Sequence, residues 1–238
     1  MDPTDNIPAY GIFDLFTENY FYNVALWFLA AFYWANIIFF WIEKISPKIW
    51  ILAVATLVVG IIGHVLYMYE IKLYMFFDSA MTGIPFFFLG YVLRRTPIPY
   101  KNKYDKWNFP IAIILYIIVL LLPDVTVDLR ENKIDGNILI FYLTGSMMVI
   151  ALILICKSIK KLPVVSYIGR YSIIVLCTHT LLREPLFLFF GLVCKIPIPE
   201  IQWVTYVAII ALMFAVIPLC RKVFPYVTAQ KELIPVKN

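Results

Sequence analysis

The sequence predicts an all-α polytopic membrane protein, a bundle of about seven transmembrane helices. Of its 238 residues, 63% are hydrophobic and only 15% are charged. Soluble domains contain about 45–50% apolar and about 25% charged residues. The apolar residues are also grouped into seven runs, and the lysines and arginines alternate between the gaps that separate those runs. A chain of this composition cannot cover a water-facing surface, so its solvent is predicted to be lipid.

Each apolar run is long enough, or nearly so, to cross the hydrocarbon core, which takes ~20 residues of α-helix. The fourth run is the shortest, and Trp107 is expected to anchor it at the membrane interface. The linkers are short, and no separate soluble domain is visible, so residues 1–238 are predicted to form a single transmembrane domain. The predicted helices are 22–42, 50–67, 73–93, 109–122, 137–156, 173–194 and 201–219.

The basic residues predict the orientation, because cytoplasmic loops are enriched in lysine and arginine. Fifteen of them fall in the first, third and fifth gaps and in the carboxyl-terminal tail, against four in the other gaps. The carboxyl terminus is therefore predicted to be cytoplasmic and the amino terminus to lie outside. The net charge of +5 is explained by these loops, and no nucleic-acid partner is expected. The fifteen are Lys44, Lys48, Arg94, Arg95, Lys101, Lys103, Lys106, Lys157, Lys160, Lys161, Arg170, Arg221, Lys222, Lys231 and Lys237.

The remaining sequence signals are modest. The four cysteines lie in or beside apolar runs without the C-x-x-C spacing of a metal site, so they are interpreted as small core residues and no metal is expected. The first residues are acidic and contain no lysine or arginine, which is unlike a secretory signal. The basic stretch 158–172 has an apolar face and is predicted to lie on the cytoplasmic interface, or to be a plain positively charged loop.

The sixth predicted helix carries the most informative polar groups. His179 and Arg183 are four residues apart and therefore share a helix face, and Glu184 follows at once. Ionisable groups at bilayer depth cost about 2.5–3.5 kcal/mol each on insertion scales and suggest function by default. Pro185 removes a backbone donor, so a kink or break is expected there. These groups either line a polar cavity or pair with neighbouring helices as internal glue.

Two further ionisable groups are predicted near the outer face. Asp78 lies among aromatic residues in the outer third of the third helix, and His64 lies near the outer end of the second. A carboxylate in that setting needs a partner. A shared water-filled pocket open to the outside would account for these two groups together with His179 and Arg183, whereas His64 alone could be an interfacial histidine.

Three segments together resemble the membrane acyltransferase-3 family, in its fucose 4-O-acetylase-like or polysaccharide O-acetyltransferase branch. The first, ALWFLAAFYWANIIFFWI at 25–42, is similar to an LWFL-x-x-L-F run. The second, FFDSAMTGIPFFFLGYVLRR at 76–95, is similar to D-x-A-x-x-x-x-P-F-F-x-L-G-Y-x-L-R. The third, SYIGRYSIIVLCTHTLL at 166–182, is similar to a late-helix pattern L-G-x-x-S-x-x-x-Y-x-x-H. The segments occur in the family's order and span nearly the whole chain.

The resemblance implies a ten-helix architecture with both termini in the cytoplasm, of which this chain matches the last seven helices. It also implies acyl transfer from a cytoplasmic donor, acetyl-CoA, to a hydroxyl of a cell-surface or capsular glycan. The family's first-helix segment R-x10-H, which holds the presumed general base, is not matched. The expected location is the bacterial plasma (inner) membrane.

Residue by residue, the resemblance implies roles only at matching positions. His179 matches the late-helix histidine and, with Arg183, is expected to position the acceptor or the acyl group. Asp78, with His64 and Glu184, is expected to bind substrate, and the basic pair Arg94 and Arg95 to attract the donor. The alternative function is a non-catalytic membrane partner subunit or a transporter of a lipid-linked sugar.

Overall fold

The computed structural model describes residues 24–96, 105–159, 162–195 and 198–224. Within them, six helices are long and apolar enough to span a membrane, and the apolar helix Lys106–Leu121 is shorter. The all-α polytopic fold is therefore confirmed. The predicted start of the first helix at residue 22 lies outside the described residues, as do the loop and tail lysines at 101, 103, 160, 161, 231 and 237.

The described elements fall into two compact units. The α1–α5 unit contains five helices and a small β-hairpin, and the α6–α8 unit contains three helices, a π-turn at Phe189–Val193 and the 3₁₀ turn Val24–Leu26. The helices are α1 (Trp27–Ile45), α2 (Ile49–Met68), α3 (Phe77–Arg95, preceded by the 3₁₀ turn Tyr74–Phe76), α4 (Asp105–Leu121), α5 (Ile138–Ile159), α6 (Pro163–Arg170), α7 (Ser172–Leu188) and α8 (Ile198–Val223), with strands β1 (Thr126–Asp128) and β2 (Lys133–Asp135).

Helix α3 is the packing centre of the α1–α5 unit, because it contacts α1, α2 and α5. It approaches α2 closely where glycines leave no side chain. A Cβ built on Gly63 would lie 2.4 Å from the Thr82 hydroxyl, and one built on Gly60 would lie 2.5 Å from the Tyr142 hydroxyl. Small residues permit such contacts between membrane helices, where van der Waals packing has to replace the hydrophobic effect.

A hydrogen bond to α5 completes this packing. Pro85 lies inside α3 and deprives the helix of one backbone donor. The Tyr142 hydroxyl donates to the carbonyl of Thr82 at 3.0 Å. The bond joins α5 to the proline-containing stretch of α3 and leaves Tyr142 buried.

The β-hairpin between α4 and α5 was not predicted. Val127 pairs with Ile134 in an antiparallel register, and the Asp128 carboxylate accepts the backbone N–H groups of Arg130 and Glu131 at 3.0 and 3.3 Å. Asn132 has a left-handed backbone (φ 53°) and is buried. Its amide donates to the carbonyl of Gly63 at 2.9 Å, which fastens the hairpin to α2.

The α6–α8 unit is built around contact between α7 and α8. Its apolar cluster lies towards the start of α7 and the end of α8 and consists of Tyr171, Ile174, Ile209, Met213 and Ile217. Helix α6 buries none of its residues, and its apolar side chains at positions 164 and 165 are exposed. The α-helical geometry of α7 continues through Pro185 to Leu188, so the predicted irregularity occurs one turn later, in the π-turn.

Candidate functional site

His179 lies in the middle of α7 and is half-buried. Its Nδ1 is 2.8 Å from the carbonyl oxygen of Val175. Since a carbonyl can only accept, this bond places a proton on Nδ1, and in the neutral imidazole the lone pair is then on Nε2. Nε2 lies 3.4 Å from the hydroxyl of Thr180. A neutral imidazole held in this tautomer is able to take a proton from a substrate hydroxyl.

Arg183, one turn further along α7, lines a cavity of about 210 Å³. Its guanidinium is 3.2 Å from the Glu184 carboxylate, and both side chains are half exposed. The cavity is also bordered by α8, so its polar groups come from two helices. The other lining residues are Phe187, Gln202, Thr205 and Tyr206.

Thr205 is the most unusual member of this cavity. The residue is 1% exposed, and its hydroxyl has no hydrogen-bond partner among the described residues. Several other membrane-helix hydroxyls are satisfied locally, because they donate to the carbonyl four residues earlier; these are Thr56, Thr144, Ser158 and Thr178. A buried hydroxyl left unpaired costs about 1–3 kcal/mol. Thr205 therefore offers a donor to whatever occupies the cavity.

Asp78 lines a second cavity, of about 420 Å³, at one end of the α1–α5 unit. The residue is 5% exposed and lies in the first turn of α3. The rest of the lining comes from the end of α2, the segment after it and the β-hairpin: Tyr67, Glu70, Ile71, Lys72, Glu131 and Lys133. Asp78 thus lines a cavity with a charged rim that the sequence did not reveal, while His64, His179 and Arg183 are not among its lining residues.

Two ion pairs involve charged groups of this rim. Lys72 forms an ion pair with Glu131, and Lys133 lies 3.1 Å from Asp135. The Tyr67 hydroxyl also donates to Asp135, at 2.7 Å. These bonds, that from Tyr67 first, hold the pKa of Asp135 below its usual value. The hydrogen bond to Asp135 raises the pKa of Lys133.

His64 lies on α2 at the same level as the start of α3. The neighbouring residue Gly63 packs against the backbone of Asp78 and Thr82, so the two predicted residues belong to the same end of the unit. Asp78 lines the cavity, whereas His64 is not among the lining residues. The Nδ1 atom of His64 is buried and has no hydrogen-bond partner among the described residues.

The backbone around the Asp78 cavity is strained. Glu70, Met75 and Phe76 have φ values of 56°, 52° and 59°, in the left-handed region that favours glycine. Each such residue costs on the order of 1–2 kcal/mol. Phe76 is held in place by burial and by Trp27, whose ring centroid is 6.0 Å away. The surrounding contacts therefore fix a turn that the chain would not adopt alone.

Arg94 and Arg95 lie at the opposite end of α3 from Asp78. Sixteen residues of helix separate Asp78 from Arg94, a distance of about 24 Å. Arg95 is 3.4 Å from the Glu43 carboxylate and stacks over the ring of Tyr91 at 4.0 Å, while the Tyr91 hydroxyl donates to Glu43 at 2.8 Å. Both arginines are exposed, and the ion pair with Glu43 and the stacking on Tyr91 hold the Arg95 side chain.

A comparison with known protein families identifies the chain at the family level. The model of the acyltransferase-3 family, described as an acyltransferase domain, matches residues 5–222. The chain belongs to the acyltransferase-3 family. No curated protein and no solved structure gives a significant match. The resemblance inferred from the three segments is therefore confirmed at the family level.

Membership of the acyltransferase-3 family, together with the six long apolar helices, makes this an integral membrane protein of the acyltransferase type. The match gives no support to a transporter or partner subunit.

Within this acyltransferase-3 chain, α7 brings His179 and Arg183 onto one stretch of helix, and α8 adds Gln202 and Thr205, which sequence reasoning missed. The sequence signal that could have identified them is that Gln202 and Thr205 are polar residues three positions apart in the last apolar run, and so lie on one helix face. Among the described residues, no three His, Cys, Asp or Glu side chains come together as metal ligands.

Proposed function

We propose that the chain is an O-acyltransferase that moves an acetyl group from acetyl-CoA to a hydroxyl of a cell-surface or capsular glycan. The family match supports acyl transfer in general. The observation that carries the proposal is the cavity between α7 and α8, in which Arg183 and the unpaired Thr205 hydroxyl border one space. His179, whose Nε2 is not bonded to the backbone, lies one turn away along α7 and is not itself a lining residue. A base beside a group of hydrogen-bond donors is what acyl transfer requires.

Each of these groups has one role in the proposed reaction. The acceptor hydroxyl oxygen attacks the thioester carbonyl carbon while its proton passes to Nε2 of His179. The carbonyl electron pair moves onto oxygen, and this oxyanion accepts hydrogen bonds from Arg183, Thr205 and Gln202. The intermediate collapses with breakage of the C–S bond, and the departing thiolate recovers the proton from the imidazolium. The products are the glycan ester and free coenzyme A.

The remaining predicted residues have supporting roles in this proposal. The basic loops are cytoplasmic, so the exposed Arg94 lies on the side from which acetyl-CoA arrives. The Asp78 cavity then faces outwards, where the Asp78 carboxylate is able to accept hydrogen bonds from sugar hydroxyls. His64 supports this end of the α1–α5 unit, and Glu184 holds the Arg183 guanidinium. The membrane in this proposal is the bacterial plasma membrane.

The test is acetyl transfer from radiolabelled acetyl-CoA to purified glycan, in membranes that contain the wild type or His179→Ala. We expect a loss of about 10²–10⁴-fold in turnover, the usual contribution of a general base. His179→Gln is the matched control for shape, since it keeps hydrogen-bonding groups but cannot act as a base, and it should be equally inactive. Equal activity of all three proteins at equal expression would remove His179 from the proposed site.

A further inference from the structure

A third cavity lies between α1 and α3 in the α1–α5 unit. It has a volume of about 270 Å³ and takes its walls mainly from aromatic and small side chains. An apolar cavity of about 150 Å³ is large enough for a benzene ring, so this space admits a larger hydrocarbon group. Among its lining residues are Trp27, Phe32, Ala35, Ser79, Gly83 and Phe87.

Ser79 is the polar exception in this cavity. The residue is 4% exposed, and its hydroxyl has no hydrogen-bond partner among the described residues. A helical serine ordinarily donates to the carbonyl four residues earlier. That residue is Met75, whose left-handed backbone takes it out of the helical path. The hydroxyl is thus buried in an apolar cavity with its donor unused.

The cavity follows the helix direction inward from one membrane boundary. Trp27 contacts Phe76 at one level, and Phe39 contacts Tyr91 at the other, so α1 and α3 run parallel. Ser79 lies in the first turn of α3, and the lining extends to Phe87, which is about 12 Å further along the helix. The charged hairpin lies at the Ser79 end, since Leu129 also lines the cavity.

The cavity is open at the side. Phe28 and Phe32 line it from α1 and are 47% and 48% exposed. In a membrane-spanning helix, such half-exposed apolar side chains face hydrocarbon. The occupant therefore has access from the bilayer and does not have to pass through water.

We propose that this cavity binds one chain of an ester-linked glycerolipid, with the Ser79 hydroxyl donating to the ester carbonyl. A glycerolipid carries its ester carbonyls where the headgroups meet the hydrocarbon, and Ser79 lies at that boundary of the span. The hydrocarbon beyond the ester then follows the aromatic walls towards Phe87. A prenyl chain has no carbonyl at this point and would leave the hydroxyl unpaired, so the site selects an acyl ester.

The first experiment fills the cavity. Gly83 lines the cavity, and a Cβ built on it meets nothing within 4 Å, so Gly83→Leu should direct its side chain into the space. Gly90 lies on the same helix, is equally open and does not line the cavity, so Gly90→Leu is the matched control. The probe is phosphatidylglycerol with a diazirine on one chain, in phosphatidylcholine vesicles, with cross-links located by mass spectrometry.

We expect cross-links on the α1 and α3 residues that line the cavity in the wild type and in Gly90→Leu. In Gly83→Leu they should fall at least about fivefold. Cross-links that are unchanged in Gly83→Leu would overturn the proposal. So would cross-links that excess acyl-CoA removes from the wild type, because the cavity would then belong to the acyl donor.

The second experiment tests the hydrogen bond. Competition of the same probe with diester or diether phosphatidylglycerol, which differ only in the carbonyls, measures the preference for the ester. We expect the wild type to prefer the diester by about three- to tenfold, as for one neutral hydrogen bond. In Ser79→Ala that preference should vanish while cross-linking persists. Equal competition by both lipids in the wild type, or an ester preference that survives in Ser79→Ala, would contradict the role of Ser79.

Discussion

The two polar cavities satisfy their hydrogen-bonding groups to different degrees. Around the Asp78 cavity both lysines are paired within the protein, since Lys72 pairs with Glu131 and Lys133 with Asp135. In the Arg183 cavity a buried hydroxyl, that of Thr205, is left without a partner among the described residues. Groups that pair with each other hold the fold, whereas an unused donor is available to a substrate. The paired charges on the rim of the first cavity therefore form a structural junction, whereas the Thr205 hydroxyl of the second is closer to the chemistry.

The largest effect expected from the difference between the two cavities is on the rate of acyl transfer. Thr205→Val keeps the shape of the side chain and removes the hydroxyl, so acyl transfer should fall by about 10²–10³-fold, as for the loss of one oxyanion donor. Its thermal stability should be unchanged or slightly higher, because an unpaired buried hydroxyl is gone. Thr205→Ser, which keeps the donor, is the matched variant and should retain most of the activity. Transfer rates and melting curves in detergent check both points.

The corresponding change in the other cavity should behave in the opposite way. Glu131→Gln weakens the ion pair with Lys72, which is half exposed, and should change turnover less than about twofold. An exposed ion pair contributes about 0–1 kcal/mol to stability. A loss of activity as large as that of Thr205→Val would mean that both cavities serve the reaction and would remove the contrast.

The next largest effect is expected on stability, where α2 meets α3. A Cβ on Gly63 would lie 2.4 Å from the Thr82 hydroxyl and 2.7 Å from the Thr82 backbone nitrogen. Gly63→Ala should therefore lower the free energy of unfolding by about 1–3 kcal/mol through overpacking. Gly83→Ala, which meets nothing within 4 Å, should be neutral or stabilising by up to about 1 kcal/mol. Similar melting temperatures for the two variants would show that the α2–α3 contact is looser than described.

A smaller loss is expected when the bond from α5 is removed. Tyr142→Phe deletes the hydroxyl that donates to the Thr82 carbonyl. The cost should be about 1 kcal/mol, and up to about 3 kcal/mol if no other donor reaches the carbonyl. Chemical unfolding in mixed micelles measures it. An unchanged free energy of unfolding would mean that this bond does not stabilise the contact between α5 and α3.

The sequence was sufficient for the parts of the fold that depend on periodicity and length. Long apolar runs and alternating loop charges predicted the helices, since both patterns are local. The β-hairpin was missed because Asn132 is buried only through its bond to Gly63, 69 residues away. Thr205 was missed for a related reason, because a threonine in an apolar run usually donates to its own helix, as Thr178 does. Only the structure shows that the Thr205 hydroxyl does not.

The smallest expected effect is the pH dependence of the hairpin junction. Because the pKa of Asp135 is lowered in the folded protein, the carboxylate stabilises the fold at pH values above its unfolded pKa of about 3.9. That contribution is lost as the pH falls through the lower, folded pKa. The raised pKa of Lys133 acts at the alkaline end, where its contribution is lost as the pH rises through the folded pKa. Near neutral pH both contributions are present, so stability should be flat there.

Melting curves between pH 2.5 and pH 7, a range chosen to bracket that pKa of about 3.9, separate the contributors at the acid end. Asp135→Asn should lose less thermal stability than the wild type as the pH falls. Tyr67→Phe, which removes the bond that lowers the Asp135 pKa most, should have an intermediate slope. If the melting temperatures of all three proteins fall equally with pH, the acid sensitivity arises from other groups. The paired charges around the Asp78 cavity then do not stabilise the hairpin junction.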